Sequence, residues 1–240
     1  MTASGRHASV PPSAYPFDAV LFDLDGTLVD SLGDIAMAAH GVRSAFGLPP
    51  LDDARIRSFI GDGARRLVAR TLTNSHAGVL DADLLERAYQ AFETAYEACV
   101  VATTRPYPGV PDMLAQLQGL GVRLGVVTNK PAAFTASILA ALDLARWFEV
   151  VVGGDSLPVA KPDPAPVQHA LTQLGVAPER ALMVGDGRND LLAAAAAGCA
   201  SLLVRYGYDR AGAEACGVVP WHAADTLVGL PALIENRDHD

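Results

Sequence analysis

Residues 19–31, AVLFDLDGTLVDS, constrain the chain more than any other stretch, because a short apolar run ends abruptly in two carboxylates one residue apart. Ala19 to Phe22 read as the interior of a buried strand, and Gly26 breaks the pattern just past the second acid. Along an extended chain Asp23 and Asp25 point to the same side, with Leu24 pointing away. Two carboxylates held about 4 Å apart repel by roughly 4 kcal/mol at an effective dielectric near 20. Either one takes up a proton or a cation sits between them, and a divalent metal is the expected remedy. Asp-x-Asp by itself is also an ordinary turn or helix-cap pattern, so its meaning depends on the rest of the chain.

After this first strand the strand pattern stops. Helical periodicity predicts helices over 32–47, 53–60, 64–73 and 81–99, broken at Gly47-Leu48-Pro49-Pro50 and at Gly61-Asp62-Gly63. From Tyr107-Pro108-Gly109 onward, helices over 111–119, 131–143, 164–174 and 189–197 alternate with strands over 122–127, 149–152, 181–185 and 201–204. The strands are near-continuous apolar runs, as a parallel sheet covered on both faces requires. The expected fold class is therefore α/β, a doubly wound, Rossmann-like parallel sheet with an inserted small helical domain. Its expected boundaries are a disordered tail over 1–16, a core over 17–31 and 104–236, and a helical insert over 32–103. In such sheets ligands bind beyond the carboxyl ends of the strands, where Asp23, Thr128 and Asp186 all fall.

Composition narrows the partners. With 240 residues, half of them hydrophobic and 19% charged, the chain is long enough for a substantial core. A net charge of −9 argues against a nucleic-acid surface, though a metal and one lysine can reverse the sign locally. No run approaches the ~18 apolar residues of a membrane span, and residues 1–16 lack the apolar core of a secretory signal. Cys99, Cys199 and Cys216 are odd in number and widely spaced, which reads as reduced thiols and a cytoplasmic setting. The expected partner is a small molecule, with neither nucleic acid nor membrane, and the protein is a monomer or a homodimer.

Three later stretches share the character of the first. Val126-Val127-Thr128-Asn129 ends an apolar run in a hydroxyl and an amide, Lys161-Pro162-Asp163-Pro164 supplies a lysine, and Val184-Gly185-Asp186-Gly187-Arg188-Asn189-Asp190 ends another run in two acids. In that order, across residues 17 to about 234, these stretches resemble the motifs of the haloacid dehalogenase superfamily of phosphohydrolases. The set DxDGT, TN, KPDP and GDxxND is specific where each alone is not. The resemblance implies Mg²⁺ as cofactor and Asp23 as a nucleophile that forms an aspartyl-phosphate. It implies Asp25 as acid and base toward the leaving alkoxide and the hydrolytic water, with Thr27 holding the turn and helping to fix Asp25. Metal ligands on this pattern are Asp23, the backbone carbonyl of Asp25, and Asp186, with Asp190 acting behind them. The bland alternative for Asp190 is a helix cap. Thr128 and the amide of Asn129, just ahead of a helix opening at Pro131, form an anion site, and Lys161 pairs with phosphoryl oxygens and the nucleophile. Gly187 departs from the Ser or Thr often found there, which removes one hydrogen bond and leaves the metal site intact. Lys130 and Lys161 are the only lysines in the chain.

Relatives with other chemistry are separable. Residues 32–103 contain no lysine, which excludes the Schiff-base chemistry of phosphonoacetaldehyde hydrolases, and the second acid of the DxD separates the chain from haloacid dehalogenases proper. Phosphosugar mutases typically carry a histidine soon after the DxD loop, whereas the first here is His40. A catalytically silent binding protein of the same fold would have lost at least one of these groups. Specificity belongs to the helical insert, where Gly61, Gly63, Arg65 and Arg66 form a turn and helix start suited to an anion. That turn, together with VVTNKP, GGDSLP and RYGY, resembles the phosphoglycolate phosphatase branch, which implies hydrolysis of 2-phosphoglycolate with Arg65 and Arg66 on its carboxylate. N-acetylmuramic acid 6-phosphate phosphatases share VVTNKP and RYGY, so that alternative stays open, as do other small phosphosugar phosphatases.

Overall fold

Near-continuous apolar runs, too short for helices, settle into strands whose two faces must both be covered. The computed structural model describes residues 16–235, so the expected tail over 1–16 lies, but for Pro16, outside the described residues. In chain order the elements are β1 (Ala19–Phe22), β2 (Val29–Asp30), α1 (Leu32–Ala45), α2 (Asp53–Arg57), α3 (Ala64–Thr73), α4 (Ala82–Glu97), β3 (Arg105–Pro106) and α5 (Val110–Gly119). Then follow β4 (Arg123–Val127), α6 (Ala132–Ala141), β5 (Val150–Val152), α7 (Ala165–Leu174), β6 (Ala181–Gly185), α8 (Arg188–Ala197), β7 (Ala200–Val204), α9 (Arg210–Ala215), β8 (His222–Ala224) and α10 (Leu230–Glu235).

Six strands form one parallel sheet in the order β5-β4-β1-β6-β7-β8. The chain leaves the central β1, builds outward through β4 and β5 on one side, then returns to build β6, β7 and β8 on the other. That reversal beside β1 is the switch point at which an open α/β sheet leaves a crevice beyond its carboxyl ends. Alternation along the strands splits the core in two. Val20, Phe22, Leu124, Val126, Leu182 and Val184 pack on the face covered by α5 and α10. Ala19, Leu21, Val127, Ala181 and Met183 pack on the opposite face against α7 and α8.

The helical insert has an apolar core of its own. Ile35, Val42, Ile56, Phe59, Leu67, Val68, Phe92 and Tyr96 from α1 to α4 are buried together, and Phe134 of α6 is the sheet unit's contribution to that cluster. α2 and α4 begin where acids cap them: Asp52 accepts from the Ala54 amide at 2.8 Å and Asp81 from the Leu84 amide at 2.8 Å.

Three differences from the sequence expectation have local causes. The helix expected over 53–60 stops at Arg57, because Phe59 and Ile60 turn inward ahead of the Gly61-Asp62-Gly63 bend. A two-stranded antiparallel ribbon, β2 with β3, joins the two chain crossings between the units, each strand being too short for a periodic signal. The sheet extends to β8, whose sequence His-Ala-Ala carries no apolar run because an edge strand is only half covered. Among the described residues no helix is long and apolar enough to cross a membrane. All three cysteines are free.

Candidate active site

The β1 ladder carries straight into the site. The amide of Asp23 donates to the Val184 carbonyl at 2.9 Å, and the Leu24 amide donates to the Asp23 carboxylate at 2.7 Å. Asp23 and Asp25 both line one cleft, as alternation requires, yet their charges are handled separately. Asp23 faces the Lys161 ammonium at 3.2 Å, while both oxygens of Asp25 lie 3.1 Å from Lys130, and the Ser31 hydroxyl donates to Asp25 at 2.5 Å. Each aspartate thus faces a lysine of its own. Thr27, expected to help fix Asp25, instead donates to Asp186 at 3.4 Å.

Lys161 comes from the long loop between β5 and α7. Its side chain, 1% exposed, bridges Asp23 and Asp190, the latter at 2.6 Å, and donates to the Val127 carbonyl at 2.5 Å. Burial pushes the Asp23 carboxyl up to about 6, against the pull of Lys161 and with the help of Asp190 and Asp25. Burial drives Asp186 well above the carboxylate range, and the charges of Asp190 and Asp23 add to it. One lysine does not balance this crowd of acids.

Asp23, Asp186 and Asp190 each offer an oxygen, and these oxygens lie within 4.8 Å of one another. All-oxygen donors, net negative charge and a buried floor fit a hard divalent cation such as Mg²⁺. The partners of Asp190 distinguish it from the other two. One oxygen is held by Lys161, the other accepts from the Gly187 amide at 3.0 Å at the start of α8, and this engagement suits support of the site from behind. Asp190 is the third residue of α8 rather than its N-cap, but its side chain accepts from the amide of the N-cap residue Gly187, so it also caps the helix, as the bland alternative expected, while it holds Lys161.

Thr128 and Asn129 stand at the carboxyl end of β4 as expected, on the cleft wall. The Asn129 side chain is committed to structure: it donates to the carbonyls of Gly61 at 2.9 Å and Lys161 at 2.8 Å. Only its backbone amide is left to serve an anion. The Gly61-Asp62-Gly63 turn closes over the cleft, because Asn189 donates to the Gly61 carbonyl at 3.0 Å and to Asp62 at 2.7 Å, and Arg188 pairs with Asp62 at 3.0 Å. Gly61 and Gly63 line the cleft.

Arg65 and Arg66 do not, which corrects their assignment to a substrate carboxylate. Arg65 pairs with Glu86 at 2.9 Å and stacks over Tyr89 at 4.4 Å, both on α4, and Arg66 is exposed. Helical phase is the reason: Ala64 and Leu67 take the inward face of α3 and turn the residues between them outward. His40 pairs with Asp53 at 3.0 Å and is absent from the cleft wall.

Sequence reasoning missed two groups. Lys130 projects into the cleft, buried, and its only sequence signal was the scarcity of lysine. The loop after β7 supplies a shelf for Asp186: the amides of Tyr208 and, at 3.4 Å, Asp209 donate to it. The RYGY string marked that loop without indicating what it does.

Comparison with known proteins agrees with this geometry. The family model for haloacid dehalogenase-like hydrolases matches residues 17–198. A phosphoglycolate phosphatase of Nitrosospira multiformis is 45% identical over 195 residues, 81% of this chain and 86% of that protein. Phosphoglycolate phosphatase 1 of Pseudomonas aeruginosa is 46% identical over 193 residues, 80% of this chain and 70% of that protein. The crystal structure of a predicted phosphoglycolate phosphatase from Haemophilus somnus 129pt superposes with a TM-score of 0.82 at 32% identity, covering 91% of this chain and 98% of that one. A sheet that switches direction beside its first strand, acids at the ends of β1 and β6 with a Thr-Asn pair at the end of β4 between β1 and the sheet edge, and a match over most of the chain lead to one assignment: this protein belongs to the haloacid dehalogenase-like hydrolases.

Proposed function

We propose that the protein is a Mg²⁺-dependent phosphomonoesterase that hydrolyses 2-phosphoglycolate to glycolate and phosphate through an aspartyl-phosphate on Asp23. The observation that carries the chemistry is the placement of Asp23 against Lys161 at 3.2 Å, on the open side of the Asp186 and Asp190 cluster. The names of the 45% and 46% identical relatives support the substrate.

Asp23 attacks phosphorus in line with the ester oxygen, forming the Asp23–phosphorus bond as the ester bond breaks. Asp25 gives its proton to the departing alkoxide, then takes one from the water that attacks the aspartyl-phosphate, which releases phosphate and restores Asp23. Lys161 and the backbone amide of Asn129 hold phosphoryl oxygens, with the Thr128 hydroxyl beside them. Asp23, Asp186 and the Asp25 carbonyl would hold Mg²⁺, which when bound neutralises charge on the phosphoryl group. Residues 32–103 act as a cap on a core of 17–31 and 104–236, and the Gly61 turn excludes water from the reaction.

The test is a substrate panel with the purified protein: 2-phosphoglycolate, N-acetylmuramic acid 6-phosphate, glucose phosphates and a nucleotide, with Mg²⁺ or with excess chelator. 2-Phosphoglycolate is expected to give the highest kcat/KM, chelation to abolish turnover, and Asp23→Asn to remove activity while the fold survives. Preference for the amino-sugar phosphate, or full turnover in chelator, would overturn the reading.

A further inference from the structure

Small substrates with few apolar atoms are told apart by their charges, and 2-phosphoglycolate carries a second anion one methylene carbon from the ester oxygen. Whatever residue sits beside the group serving that oxygen is therefore beside the carboxylate. In this structure that residue is Lys130. Its ammonium lies 3.1 Å from both oxygens of Asp25, with a side chain 6% exposed.

Elimination leads to the same residue. Among the described residues Lys130 and Lys161 are the only basic side chains on the cleft wall, and Lys161 is held between Asp23 and Asp190. The arginines at the start of α3 face away. An independent observation comes from the helical unit: Tyr96 of α4, 1% exposed, lines the same cleft, and its hydroxyl is buried without a hydrogen-bond partner. Lys130 lies over the face of that ring, 4.6 Å from its centroid, and interacts with the hydroxyl, but an ammonium can only donate, so the hydroxyl's own hydrogen is left without an acceptor. A buried hydroxyl is rarely left unpartnered, because its desolvation goes uncompensated. An ammonium and an unused donor at one spot, walled by Ile35, Leu67, Phe92 and Phe134, make a seat for a small carboxylate in a low-dielectric setting.

We propose that Lys130 and the Tyr96 hydroxyl are the specificity residues that receive the substrate carboxylate, an inference that rests on the phosphoglycolate reading above. Binding moves Lys130 from Asp25 alone to a position shared with the substrate. Because Tyr96 belongs to α4 and Lys130 to the loop before α6, the carboxylate joins the two units across the cleft, and substrate recognition is coupled to their closure. N-acetylmuramic acid 6-phosphate does not match this seat, since its carboxylate hangs from a lactyl arm across the sugar ring from the 6-phosphate.

The experiment compares 2-phosphoglycolate with ethyl phosphate, which lacks the carboxylate, in wild type, Lys130→Met, Lys130→Arg and Tyr96→Phe. Wild type is expected to prefer 2-phosphoglycolate in kcat/KM by about 10- to 100-fold, the range of one charge-assisted hydrogen bond. Lys130→Met is expected to lower turnover of both compounds, since Asp25 loses a partner, and to collapse the preference to within about threefold, chiefly through KM. Lys130→Arg keeps the charge and retains part of the preference. Tyr96→Phe, which keeps the packing, reduces it by about three- to tenfold. Calorimetric binding in an Asp23→Asn background, where no turnover intervenes, is expected to show the same pattern in Kd. An unchanged preference in folded Lys130→Met and Tyr96→Phe would overturn the assignment while leaving the phosphoglycolate reading intact. A wild type without the preference would overturn both.

Discussion

At the scale of single residues, the site depends on positions where no side chain fits. A Cβ on Gly26 would stand 2.5 Å from Asp186 Oδ2, and one on Gly207 would stand 2.1 Å from Asp186 Cβ. Gly26 also has φ +82°, a left-handed conformation that costs an alanine about 1 kcal/mol. Both glycines let backbone close around Asp186 so that amide donors reach it, and Thr27 completes the ring with its hydroxyl. Gly26→Ala is expected to displace Asp186 more than it destabilises the fold. The Mg²⁺ concentration for half-maximal activity should rise by about tenfold, the lower end of what a disturbed ligand support costs. Unchanged Mg²⁺ dependence in a folded Gly26→Ala protein would show that Asp186 is not a metal ligand.

At the scale of elements, the two crossings between sheet and helical unit are tied by one carboxylate. Asp34, fully buried in the first turn of α1, accepts from the amide and hydroxyl of Thr103 at 2.7 and 2.5 Å and from those of Thr104 at 3.1 and 2.5 Å. The β2–β3 ribbon sits beside this clamp, so both chain crossings are registered by hydrogen bonds. Burial alone would raise the Asp34 carboxyl, but the four donors outweigh it and hold it below its ordinary 3.8. A carboxylate lowered on folding contributes stability that is complete above its unfolded value and is lost as pH falls through the folded one. Asp34→Ala, which takes the acceptor from four donors, the two on Thr104 buried, is expected to cost about 2–4 kcal/mol by denaturant unfolding at pH 7. The stability gap between wild type and Asp34→Asn should be constant from pH 7 to about 5 and narrow below its ordinary 3.8. A gap that widened toward acid would contradict the clamp. The Cys99 thiol, 3.5 Å from the Asp34 carbonyl and pushed up by burial, and the Tyr96 hydroxyl, pushed up to about 12 chiefly by burial, both feel the Asp34 charge and stay neutral across that range.

At the scale of the whole molecule, the helical unit is held down over the cleft through Asp62. Its carboxylate takes Asn189 from the sheet unit at 2.7 Å and Arg188 at 3.0 Å, and Arg70 of α3 holds it in place at 2.5 Å. Burial works against the Asp62 charge, but Asn189, Arg70 and Arg188 together hold its carboxyl below the usual range. Asp62→Ala is expected to loosen closure without unfolding either unit. Hydrogen exchange should speed up at residues 59–64 and at the 103–105 crossing, and a bound phosphate analogue should protect those segments less than in wild type. Equal protection in both proteins would show that Asp62 is not the latch. The same picture separates what sequence determined from what tertiary structure decided. Apolar runs that end in Asp23, Thr128 and Asp186 made the sheet, its core faces and the reactive ends of its strands readable, because a short continuous apolar run and the residues that end it are local properties of the chain. The order of the strands, the pairing of each aspartate with its own lysine, the placement of Lys130 against Tyr96 and the outward turn of Arg65 were decided only by packing. Each depends on which residues a fold brings together from more than twenty positions apart, or on the phase at which a helix meets its neighbour. A charge in a sequence does not reveal which partner will neutralise it.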